Sequence, residues 1–179
     1  MILVSSILIV FLFVAFYLLR VVRGQSTPIS NLDDLLSLSR GVDVNAFRNL
    51  TDPDETRFLR QNLSPAIFRI VQRERTLATI EYVRNISHNA GLLVTLGQLA
   101  IANPDPQLAA AAQAMLSRAL HVRMLAMFAL VKLYTRSVVP VLPFAAEEVF
   151  RDYRQLTESA LLFTRLQRPA FAGRVNAVL

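Results

Sequence analysis

Apolar residues fill the chain from Ile2 to Leu19 without a charge and without a polar face, Ser5 and Ser6 being the exceptions. A soluble helix alternates an apolar stripe with a wet side, and this stretch does not. Extended through Val21 and Val22, it makes a helix of roughly 30 Å, the thickness of a bilayer core. The pattern therefore predicts a transmembrane helix. A cleaved secretory signal fits less well: only Met1 precedes the run, and the segment after Leu19, RVVRGQS, has no small-x-small site. Arg20 and Arg23 follow the span and no cationic side chain precedes it. Cations beside a span stay cytoplasmic, so the rest of the chain is expected in the cytoplasm, with Tyr17 as an interfacial anchor.

Past the exit GQSTP, the periodicity is helical throughout. Ser30 is positioned to cap a short helix over 31–39 whose apolar side is Leu32, Leu35, Leu36 and Leu38, with Gly41 as its terminator. The segment 44–50 shows too little pattern for assignment. Asp52-Pro53-Asp54-Glu55 places a cap, a proline at the first helical position and an acid where a capping box needs one. Ser64-Pro65 repeats the start, and no further proline occurs before Pro104. The interval predicts one long helix, or two with a bend in the weak helix-forming stretch NISHNAG, 85–91. Asn103-Pro104-Asp105-Pro106 is a tight turn, followed by a second long helix over about 107–139 that must run antiparallel to the first. Positions whose numbers sum to about 209 should lie level, which sets Gly97 opposite Ala112 and His88 opposite His121. Pro140 and Pro143 end the hairpin. Over 144–166, Val149, Tyr153, Leu156, Ala160 and Phe163 recur at three and four residues, with Glu147–Arg151 and Arg154–Glu158 on the other face.

Composition narrows the function classes. The charge is +6 from 19 basic and 13 acidic residues, with Lys132 the one lysine. Nucleic-acid proteins cluster their surplus more tightly, so no nucleic-acid partner is expected, and a mild positive surplus suits an anionic leaflet nearby. Cysteine is absent, which excludes disulfides and thiolate chemistry.

No nucleophile elbow or phosphate-cradling glycine loop occurs. His88 and His121, with Glu81 beside His88, form the weak metal candidate; a diiron bundle would need Glu-x-x-His pairs, and three residues after Glu81 stands Arg84. The binding candidate is the cluster Arg57, Arg60, Arg69, Arg73, Arg75 and Arg84, for a partner or a lipid; a solvated face interrupted by Glu74 and Glu81 is the plainer alternative. The sequons at Asn49, Asn62 and Asn85 read as incidental. Between Leu92 and Ile101 and along the partner helix the hairpin is apolar, but Arg118, His121, Arg123 and Lys132 argue for core over membrane.

The expected fold is all-α: an anchor over 1–23, a linker with short helices over 24–50, a bundle on the long hairpin over 51–168, and an apolar tail over 169–179. No convergent acid, base or nucleophile set is found, and no cofactor is expected. The expected function is a membrane-anchored helical interaction or scaffold protein without catalytic activity, bound to the bilayer through 2–22 and to a membrane protein or a second copy of itself. A metal-binding or enzymatic bundle around His88 and His121, and a domain for anionic lipid, are the alternatives.

Overall fold

The computed structural model of the chain describes residues 32–138, 146–167 and 175. Among them the chain is all-helical, with six helices: α1 (Leu32–Leu38), α2 (Val44–Thr51), α3 (Pro53–Asn62), α4 (Pro65–Ala100), α5 (Pro106–Val138) and α6 (Ala146–Gln167). The span expected over 2–22, Tyr17, Arg20 and Arg23, the Ser30 cap and the break at Pro140 and Pro143 lie outside the described residues.

α4 and α5 form the antiparallel hairpin. α4 is one continuous helix through NISHNAG, not two, and its 36 residues amount to about 54 Å at helical rise. At the tip the Asn103 carboxamide accepts from Asp105 N–H, and the Asp105 carboxylate accepts from Gln107 N–H at 2.9 Å, capping α5. Close approach is possible because the contact is lined by small side chains. A Cβ on Gly97 would lie 3.2 Å from Leu116 Cβ and 3.4 Å from the Ala112 carbonyl oxygen. Ala112 is thus where the register predicts, and at Gly91 the space beside the helix is filled by the end of the Arg123 side chain.

α6 docks on α5 through the predicted stripe: Val149, Tyr153, Leu156, Ala160 and Phe163 are all buried. α1 and α2 add Leu35 and Phe47 to the same core, and Val175, the described residue of the apolar tail, joins it. The core is concentrated at the far end of the hairpin, since no residue of α4 before Thr79 is buried.

Three local signals resolve differently from expectation. α1 ends with Ser39 N–H and Oγ both donating to the Leu35 carbonyl, not through a left-handed Gly41. α2 exists because Asp43 caps it, accepting from Asn45 and Ala46 N–H at 2.9 Å each. Asp52 caps α3 by accepting from Asp54 N–H at 2.8 Å, but Glu55 leaves the capping box to pair with Arg75. Among the described residues one helix, α5 over Pro106–Tyr134, is long and apolar enough to cross a membrane, and 39% of its most apolar window is buried in the bundle. Its cations leave one window of that length and apolarity, a property the core helix of a bundle shares with a span.

Candidate functional site

The arginine cluster divides into three environments. Arg57 and Arg60 on α3 face Arg69 and Arg73 on α4 across a groove of 980 Å³, whose remaining walls include Phe68, Gln72 and Leu77. Helical spacing produces the arrangement. Pro53, Thr56, Arg57 and Arg60 form one stripe of α3, while Phe68, Gln72 and Thr76 run beside Arg69, Arg73 and Leu77 as two four-residue rows on α4. The helices splay from the Asn62–Ser64 junction because Leu63 and Ser64 are non-helical and Pro65 restarts the chain. Arg57 pairs with Asp54 at 3.2 Å on the surface; Arg60, Arg69 and Arg73 have no carboxylate partner among the described residues.

Arg75 points away from the groove and is structural. Its Nη2 donates to the Asn49 and Leu50 carbonyls at 3.0 and 3.1 Å, satisfying the end of α2, and both terminal nitrogens reach the Glu55 carboxylate. Its side chain is only 11% exposed. Beneath the groove a polar cavity of 40 Å³ lies among Thr51, Thr56, Gln72, Arg75 and Thr76. Two buried atoms among these residues have no hydrogen-bond partner, Gln72 Oε1 and Arg75 Nε. Arg84 is elsewhere, donating to the Tyr134 hydroxyl with its guanidinium 5.8 Å from the ring centre.

The two histidines do not converge. His88 Nε2 meets the Leu38 carbonyl at 3.0 Å, on the α1 side, while His121 Nε2 meets Asp152 Oδ2 at 3.0 Å, on the α6 side. Glu81 is exposed, and among the described residues no group of three or more metal-ligating acid or imidazole side chains assembles. His121 and Asp152 share a cavity of 380 Å³ with Ser117 and Arg118. Ser117 donates its proton to the Ala114 carbonyl at 3.0 Å, so the hydroxyl is held by its own helix and not by the imidazole. Arg118 donates to Gln155 O and Ser159 Oγ, which makes this cluster a latch between α5 and α6.

Sequence reasoning passed over the central polar node. Buried Asn89 accepts from Arg40 N–H at 2.9 Å and donates to Arg40 O at 2.7 Å, pairing with that residue as a neighbouring strand would; it also donates to the Tyr153 hydroxyl at 3.0 Å. Burial pushes the Tyr153 hydroxyl up to about 12 despite the opposing pull of Asn89. Three- and four-residue spacing of Ile86, Asn89, Ala90 and Leu93 on the core face was the available signal. Burial also lowers the half-buried Arg123 guanidinium.

One further surface stands out. On α5, Ala112, Met115, Ala119, Val122 and Ala126 are buried, whereas Leu120, Met124, Phe128, Val131 and Tyr134 stay 42–53% exposed. At 100° per residue these five occupy about a third of the circumference over about 21 Å, an arc that also contains the buried Met127. Compared with known proteins, the chain matches no family model, no curated protein and no solved structure.

Proposed function

We propose that the chain is a membrane-tethered interaction module without catalytic activity, in which residues 2–22 anchor a helical bundle and the outer stripe of α5 docks an apolar helix of a membrane protein. The stripe carries this reading. Leu120, Met124, Phe128 and Val131 share one sector of α5 and remain 42–53% exposed, with Met127 buried among them. An amphipathic or membrane-borne partner helix would meet it by ridge packing, each buried side chain contributing about 1.5–3 kcal/mol. Arg20 and Arg23 support a cytoplasmic position for the bundle.

The test uses the full chain in its native membranes, with a photo-crosslinking residue at Met124 or Phe128 and, as control, at Glu158 on exposed α6. The expected result is a discrete heavier adduct from the two α5 positions alone. It should vanish in M124E/F128E while the protein resists alkaline extraction from the membrane. Adducts to lipid only, an adduct between two copies of this chain, or equal labelling from Glu158 would each overturn the assignment of the partner.

A further inference from the structure

We infer that the groove between α3 and α4 is a binding site for a phosphate ester carrying a free hydroxyl, of the glycerophosphate kind. Four guanidiniums line it from two facing walls, and three of them have no carboxylate partner among the described residues. Three arginines outside the groove are paired with carboxylates, Arg75 with Glu55, Arg154 with Glu158 and Arg151 with Asp152, and Arg84 and Arg118 donate to neutral oxygens, whereas the groove gathers its unpaired guanidiniums in one place. Walls of low dielectric carrying one sign of charge focus potential into the space between them. Guanidiniums are planar forks that take two phosphate oxygens at once, and facing pairs can close on a tetrahedral anion from both sides.

The floor selects further. Gln72 lines both the groove and the small cavity beneath it, and its buried carbonyl oxygen has no partner. A phosphate oxygen cannot satisfy that acceptor; a ligand hydroxyl can. Thr56 and Thr76 also line both spaces and add hydroxyls that donate or accept. Phe68 and Leu77 give the groove an apolar side fit for a carbon backbone. The volume, 980 Å³, admits a headgroup with part of its glycerol ester, at the upper end of small-ligand sites. The inference does not depend on the α5 stripe or on the membrane anchor, because a soluble glycerophosphate and a lipid headgroup present the same chemistry.

The full chain in a non-ionic detergent, titrated with glycerol 3-phosphate or with phosphatidylglycerol and read by native mass spectrometry, distinguishes the two sources. Saturable binding of one ligand is expected with either. Binding of both or of glycerol 3-phosphate alone identifies a site for the soluble ester; binding of phosphatidylglycerol alone identifies a headgroup site. R69Q/R73Q should weaken whichever binds by about tenfold or more, since charge-assisted hydrogen bonds are lost. R69K/R73K should recover only part of it, and Q72L should weaken the hydroxylated ligand without affecting inorganic phosphate. R154Q, which removes an exposed cation from α6, should change nothing. No saturable binding, equal loss in R154Q, or tighter binding of a polyglutamate peptide would overturn the proposal. The exposed sites on α4 leave the fold intact, which unchanged helical circular dichroism verifies.

Discussion

Asn89 joins three segments with one side-chain amide, and its replacement should be felt across the bundle. Asn89→Ala removes the side-chain partner of Arg40 N–H and O and one hydrogen bond of the Tyr153 hydroxyl, and leaves a cavity where the buried amide packed. The expected loss is about 3 kcal/mol, read from urea unfolding; a loss under 1 kcal/mol would show that the node is dispensable. Tyr153 itself predicts a pH dependence. Its neutral form is the one the core accepts, and the native value of about 12 lies above the ordinary 10.0. The associated stability is complete below pH 10 and is lost as pH rises through 12, on the order of 2–3 kcal/mol. Thermal melts at pH 9 and pH 12 should therefore converge in Y153F relative to the parent; parallel falls would refute the linkage. None of this was readable as chemistry in the sequence, where NISHNAG shows only poor helix formers. The same low propensity is tolerated because Asn89 and His88 spend their polar groups on Arg40 and Leu38.

Within the helices, the two glycines of α4 make opposite forecasts. At Gly91 the nearest atoms to an added methyl belong to the flexible end of Arg123, at 3.8 Å. Gly91→Ala should stabilise by up to about 1 kcal/mol through helix propensity. At Gly97 the contacts at 3.2–3.5 Å are Leu116 Cβ, Leu116 Cα and the Ala112 carbonyl, which move only if the hairpin separates. Gly97→Ala should destabilise, by about 1–2 kcal/mol; melting temperatures that shift in the same direction for both would contradict this. The hairpin, its turn and the α6 stripe were legible because prolines and apolar spacing mark them directly. α2 was not, because it is only eight residues long, so Val44, Phe47 and Leu50 give one short apolar stripe, and its start rests on a single capping carboxylate, Asp43. The arginine cluster was legible as composition only. Which four residues share a groove depends on the splay of α3, and Arg75 leaves the group through long-range pairing with Glu55, twenty positions earlier.

Across the molecule, burial is uneven, and local stability should follow it. α3 has no buried residue, and the first turns of α4 have none before Thr79, while residues 79–100 carry much of the core. Hydrogen exchange should be fastest in α3, intermediate in α4 before Thr79 and slowest around Val83 to Leu96. Uniform protection along α4 would mean that its early turns are held by more than helix bonds and Arg75. That uneven support has a mechanical meaning. A continuous helix is a stiff rod fixed at one end, with the arginine groove near the other and the Arg75–Glu55 strut between them. Drawing α3 toward α4 would load the strut before it reached the core, so the angle between two outlying helices can change while the packed end stays as it is.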